Sequence, residues 1–388
     1  MAEQFNARHR ARPASGLSGA RRPLPFPNTL FDVPIAFERT AYLLASRRAA
    51  VKEFGFELRV CAWAERNWPP TGEADDAVIA RQLGTKHRRW DTVIVETTDT
   101  GLTDRAPFGD ERLDSDLLHV ARNAPASWAY YRDALPDPGY PWRYVREAVH
   151  RAAERGFIET RRAKNRIEIR RRYRYPAWVD RIVAIENKPD LDAAAARVLA
   201  EQLEYDVALG LADEVWLATA ATGEEIEPAL LEAMPVEVGV LSVSKLSGGP
   251  AVEPIWRPRR LDTDEDGTRI LDRPADEADR SAARFEYADP EWKRRKRLEI
   301  AERAYERGWR SYVETMRPDC RGFELRDPTG PLPWCARKGR EQTAAECSGN
   351  CSDFEPEPPG WRARGWPIEG GPGKAAKRIL ERKRARRR

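Results

Sequence analysis

A chain of 388 residues, 41% hydrophobic and 34% charged, can bury at least one full core and carry two or three compact units. No apolar run approaches the length of a membrane span and no charged-then-apolar leader is visible, which points to a cytoplasmic protein. The net charge of +4 is small, so its placement matters more than its size; five cysteines, four of them in one late segment, fit a reducing compartment and a metal site better than a disulfide scaffold.

Residues 1–50 open with the polar run "RHRARPASGLSGARRPLPFPN", which predicts a disordered arm. Periodicity begins abruptly at Val51, and a GTG start codon read as valine in an over-extended reading frame would account for it. From Lys52 to Trp68, Phe54, Leu58, Cys61 and Ala64 recur at helical spacing, with Glu57 and Glu65 at the flanks of that stripe. A second helix is predicted over Glu73–Leu83. Asp91 then heads the strand-like run Val93-Ile94-Val95.

Some eighty residues separate this run from the next strand, too many for a plain loop, so residues 110–175 are read as an insert with its own fold. Helices are predicted over Leu113–Asn123, Ser127–Leu135 and Tyr144–Arg155, and "GFIETRRAKNRIEIRRRYRYP" reads as two short strands joined by a basic turn. Three helices and a basic hairpin make a winged-helix pattern. Residues 151–174 hold ten Lys/Arg against three Asp/Glu. Arg161, Arg162, Lys164, Arg166, Arg170, Arg171 and Arg172 are therefore candidate phosphate contacts, with Tyr173 and Tyr175 able to stack on bases. The ordinary alternative is an edge hairpin protected from pairing by its arginines.

The run Ile182-Val183-Ala184-Ile185-Glu186-Asn187-Lys188-Pro189 reads as a strand buried on both faces that ends in an acid and a lysine. Two other Glu-x-Lys triplets, Glu291-Trp292-Lys293 and Glu381-Arg382-Lys383, lie in polar charged runs; only Glu186/Lys188 closes a hydrophobic strand. Because 56 of the 67 basic residues are arginine, which cannot give up its proton, a lysine at this place is informative.

A turn over Pro189–Asp192, an alanine-rich helix over Ala193–Gly210 and the strands "DEVWLATA" and "VEVGVLSVS" complete an α/β sheet, the core spanning 51–245. Residues 246–289 are Pro/Asp/Arg-rich and predicted as loop or linker, and 290–315 as a charged helix. Residues 316–358 hold Cys320, Cys335, Cys347 and Cys351, and 359–388 form a basic disordered tail.

Taken in order, Glu57 on a helix, Asp91 heading a strand, Glu186 and Lys188 closing the next strand, and Gln202 with Tyr205 one turn apart resemble the PD-(D/E)XK nuclease superfamily. The last pair is similar to the Q-x-x-x-Y box of its RecB-type members but shorter by one residue. The resemblance covers 51–245 with the insert excepted. It implies a restriction-endonuclease-like core, a mixed sheet flanked by helices, and a metal-dependent nuclease acting on DNA in repair or defence. The wording "EFGFELRVCAWAE", "VIARQLG", "WDTVIVE" and "AIENK" also resembles an uncharacterised haloarchaeal protein family.

The chemistry supports these residue types independently. Phosphodiester hydrolysis needs a hard divalent ion, Mg²⁺ or Mn²⁺, held by carboxylate oxygens. Asp91 and Glu186 can supply them from neighbouring strands, with the carbonyl of Ile185 or Asn187 as a third ligand. Lys188 would orient or deprotonate the attacking water, and Glu57 would bind the metal's water shell or a second ion. Asp180 competes with Asp91 but stands ~20 Å from Glu186 along one strand, too far to share an ion. Cys320, Cys335, Cys347 and Cys351 could hold zinc or an iron–sulfur cluster. Because all four follow the nuclease motifs, an independent zinc knuckle is the expectation. The competing reading is a non-catalytic protein that binds nucleic acid (DNA, or RNA) through its winged helix and knuckle.

Overall fold

The computed structural model describes residues 53–70, 76–220, 231–246, 249–272, 284–317, 320–326, 332–347 and 351–355. The N-terminal arm and the basic tail lie outside the described residues, which all fall in one unit, Arg47–Arg388. Among them no helix is long and apolar enough to cross a membrane.

The fold is α/β. Six strands form a mixed sheet of order β1-β2-β6-β7-β8-β9: β1 (Ala77–Gly84), β2 (Arg89–Thr97), β6 (Val179–Lys188), β7 (Glu214–Ala220), β8 (Gly239–Leu246) and β9 (Gly249–Trp256). β1, β2 and β6 pair antiparallel, β6, β7 and β8 parallel, and β9 closes the far edge antiparallel. The parallel step from β6 to β7 needs a crossover, which α6 (Ala193–Leu209) provides. Asp192 caps it, its side chain accepting from Ala195 N at 2.8 Å, and Gly210 at φ 56° ends it.

Helices cover both faces, which is why the β6 run is apolar without alternation. Ile182 and Ala184 face α6 and α7 (Pro290–Arg307) with Leu199, Leu203, Ile300 and Tyr305. Val183 and Ile185 face α1 (residues 53–67) with Phe54, Leu58 and Cys61. Cys61 is a core residue, as its place on the stripe implies.

Four expectations are corrected. The second helix is strand β1. Its alanine and leucine content favours a helix locally, but pairing with β2 buries Ile79 on one face and Val78 and Ala80 on the other, and tertiary burial outweighs propensity. The segment 246–289 contains β9 and the two-stranded sheet of β10 (Gly267–Asp272) and β11 (Arg284–Ala288), so the main sheet runs on to Trp256. The Ser127–Leu135 helix is strand β3 (Ala129–Tyr130) followed by α4 (Tyr131–Ala134). Finally, the cysteine segment is not independent: Cys320, Phe323, Leu332 and Cys347 share one apolar core with α1 and the sheet.

Between β2 and β6 the chain forms α2 (Gly101–Arg105) and then an insert of α3 (Ser115–Asn123), β3, α4, α5 (Trp142–Glu154), β4 (Ile158–Ala163) and β5 (Arg166–Arg171). Its three strands pair in the order β3-β5-β4 around a core of its own that includes Leu117, Val145, Val149 and Phe157. One fully buried ion pair ties α2, at the entry to the insert, to α7. Arg105 donates to both carboxylate oxygens of Glu302 at 2.7 and 2.6 Å, and Glu302 also accepts from Tyr175 and from Leu113 N.

Candidate functional site

The site lies at the end of the antiparallel part of the sheet, where β2 begins and β6 ends. Thr92 pairs with Ile185, so Asp91, one residue back, faces Glu186, one residue on. The two carboxyl groups share a hydrogen bond, and Asp91 Oδ2 also accepts from Asn187 N at 3.0 Å. Burial, then the nearby Asp91 charge, pushes Glu186 up to about 9 even though Arg88 opposes them. Asp180 lies at the other end of β6, exposed, and takes no part.

Glu57 is buried on α1 and takes Arg81 bidentately, at 3.0 and 2.7 Å. It is therefore not a flank residue of the helix but faces the sheet. Burial raises its pKa, with Arg81 opposing. Gln82 Nε2 bridges it to the strand pair, donating to Glu57 Oε1 and to Asp91 Oδ1, each at 3.0 Å. Lys188 forms an ion pair with Glu53, also on α1. Burial alone would favour neutral Lys188, but the bond to Glu53, then the charges of Asp91 and Glu186, outweigh it and keep the ammonium protonated. Asp91, Glu186, Lys188 and, through Gln82, Glu57 thus meet at one place.

Gln202 and Tyr205 do not join them. Neither is hydrogen-bonded to these carboxylates among the described residues; Tyr205 instead bonds Arg269. The next residue on α6 takes their place. Asp206 is buried, accepts from Trp90 Nε1 at 2.9 Å, and receives Nε and Nη2 of Arg88, whose Nη2 also donates to Glu186. Sequence reasoning missed Arg88, Asp206, Gln82 and Glu53. The adjacency of Asp206 to Tyr205 in "EYD" was the one available signal, and nothing local marks Arg88, which acts across 98 and 118 residues.

Two buried carboxylates, Glu186 and Asp206, therefore share one guanidinium, and the half-buried Asp91 is hydrogen-bonded to Glu186. Acid in excess of base is a donor set that suits an added cation. Among the described residues no group of three or more His, Cys, Asp or Glu side chains stands as a ready-made metal site, so the oxygens would have to draw in around an ion. Asn187 turns its side chain to the α1 face, where Nδ2 donates to Thr92 Oγ1 and Oδ1 has no partner.

At the β1–β2 turn opens a cleft of about 620 Å³ lined by Lys86, His87, Arg112, Tyr205, Arg269 and Trp292, among others; Asp91, Glu186 and Asp206 do not line it. On the insert, the basic hairpin forms as expected, turning at Lys164 with φ 56°. Much of its charge is paired: Arg161 with Glu168, Arg170 and Arg172 with Glu159, and Arg166 with Asp133. Arg161 and Arg170 also lie over the ring of Trp128, at 4.5 and 4.8 Å. Arg162 and Lys164 are exposed and Arg171 is half-buried.

The model of a family of unknown function, DUF5787, matches residues 78–356. The chain belongs to this family. The DUF5787 match takes in Asp91, Glu186, Lys188 and the four late cysteines, while Glu53 and Glu57 on α1 lie before it. No curated protein and no solved structure matches the chain.

Proposed function

We propose that this protein is a divalent-metal-dependent nuclease of the PD-(D/E)XK type that hydrolyses DNA phosphodiesters. The observation that carries the reading is the placement of Asp91 opposite Glu186 across an antiparallel strand pair, with Lys188 two residues on and Glu57 joined to Asp91 through Gln82. Gln82 apart, these are residues the resemblance singles out, and they come from three separate elements.

Asp91 and Glu186 would hold Mg²⁺ or Mn²⁺, which supplies polarisation of the phosphate and a lower pKa for the attacking water. Arg88 also bonds Asp206, and those bonds would hold it if Glu186 were a ligand of the cation. Lys188, held as an ammonium, stabilises the negative charge that develops on the phosphorus oxygens as water adds and the bond to the leaving oxygen breaks. Gln82 and Glu57 fix the Asp91 carboxylate. The insert, a winged-helix-like unit, would grip the duplex backbone through Arg162, Lys164 and Arg171. The basic cleft would receive a strand near the β1–β2 turn.

A second reading is favoured by a specific observation: Glu186 is held by Arg88 and Lys188 by Glu53, the pattern of a site kept for structure. In that case the protein binds nucleic acid without cutting it. A cleavage assay with Mg²⁺ or Mn²⁺ on single-stranded, duplex and branched DNA decides. Metal-dependent cutting that Asp91→Asn abolishes supports the nuclease; binding without cutting on every substrate supports the second reading.

A further inference from the structure

Residues 316–355 build three strands, β12 (Phe323–Arg326), β13 (Leu332–Cys335) and β14 (Arg340–Glu341), with four, four and two residues. A sheet of that size cannot order itself in water. Yet Cys320, Cys335 and Cys347 are buried in it, Cys351 is half-buried, and all four are free thiols.

Backbone geometry brings their segments together, although among the described residues the four side chains do not stand as a ready-made site and would have to draw in around an ion. Phe323 N donates to Cys320 O at 3.0 Å, and Phe323 pairs with Cys335, so the β12–β13 hairpin sets Cys320 beside Cys335. The backbone of Arg317 meets two more: its carbonyl accepts from Cys320 N at 3.1 Å and its N–H donates to the Cys347 thiol. Arg321 N donates to Glu355 O at 2.8 Å, which folds the segment after Cys351 back over Cys320. A charge on Cys320, Cys335 or Cys351 would be felt at Cys347.

We propose that Cys320, Cys335, Cys347 and Cys351 bind one zinc ion as thiolates, and that this centre clamps α1 onto the sheet. A single ion is the group this packed module takes with least displacement of Phe323, Leu332 and Ala344, which share its core.

The clamp follows from what the module touches. Cys320, Cys347, Phe323 and Leu332 share a core with Phe54, Phe56 and Leu58 of α1. Glu341 of β14 takes the Arg59 guanidinium, and a Cβ at Gly55 would come within 2.0 Å of Glu341 Oε2, so a side chain there would turn that carboxylate aside. Helix α1 also carries Glu53 and Glu57, the partners of Lys188 and Gln82. The consequence for cleavage rests on the nuclease reading; the metal centre and the clamp do not.

Elemental analysis of the full-length protein should give one zinc per chain, and cobalt substitution the visible spectrum of a tetrahedral tetrathiolate. Cys335→His should keep the ion and Cys347→Ser should lose it. Chelation of the wild-type protein should speed amide exchange in residues 53–67 on the order of tenfold while α6 stays protected. A brown protein with acid-labile sulfide, or no stoichiometric metal, overturns the zinc assignment. Zinc with unchanged exchange in 53–67 overturns the clamp. Neither measurement depends on cleavage, so a protein that never cuts DNA still tests both.

Discussion

Gln82 Nε2 donates to Asp91 Oδ1 at 3.0 Å from a backbone held at φ 54°, a left-handed conformation in the middle of a strand. A non-glycine residue there costs about 1 kcal/mol, and the same amide reaches Glu57. The strain coincides with the side chain that joins Glu57 of α1 to Asp91.

Gln82→Gly and Gln82→Ala should therefore part company. Both lose the bridge, and cleavage should fall by about 10–100-fold in each. Only the glycine variant sheds the backbone strain, so it should be more stable than the alanine variant by about 1 kcal/mol in urea unfolding. Equal stabilities, or undiminished cleavage in both, would remove Gln82 from this role.

Lys188→Ala should abolish cleavage while leaving the fold and DNA affinity nearly intact. Lys188 and Glu53 are both partly exposed, so the pair contributes no more than about 1 kcal/mol. Lys188→Arg should not rescue, since a planar guanidinium cannot replace a compact ammonium. Single-turnover cleavage beside thermal unfolding separates the two effects, and a fully active alanine variant would sink the assignment.

The pH dependence of stability should carry the mark of Glu186. Its carboxyl is ordinary in the unfolded chain and pushed up to about 9 in the fold, so between these values the native state holds the extra proton. Stability of the metal-free protein should fall as pH rises from about 4.5 through 9, by at most about 1.4 kcal/mol per unit from this group. Glu186→Gln should flatten that slope. Denaturant melts of both proteins across the range, in chelator, measure it; identical slopes would show that the proton is not held at Glu186.

Replacing Arg162, Lys164 and Arg171 together with alanine should weaken DNA binding and make the salt dependence shallower, by about 0.9 in the logarithmic slope for each phosphate left without its cation. Arg161→Ala and Arg170→Ala should change the slope less, because their charge is already spent on Glu168 and Glu159 and over Trp128. Fluorescence anisotropy titrations at several salt concentrations read both. A slope unmoved by the triple variant would place the DNA elsewhere on the protein.

The residues legible in the chain were those whose role is written in local pattern. The apolar run before Glu186 marks a strand covered on both faces, the 54/58/61/64 stripe marks α1, and the basic turn of "RRAKNR" marks a hairpin. Asp91, Glu186 and Lys188 were found because strand ends are where such side chains can converge. What only the tertiary structure decided depends on pairing across long stretches of chain. β1 reads as helix until β2 pairs with it, because a hairpin partner can override the propensity of alanine and leucine. Arg88 enters the site from a turn to neutralise carboxylates 98 and 118 residues away, and Asp206 displaces Tyr205 because α6 presents that one position, and not its neighbour, to Trp90 and Arg88. The cysteine module reads as self-contained in sequence, yet too few of its residues are apolar to close a core alone, so it borrows that of α1.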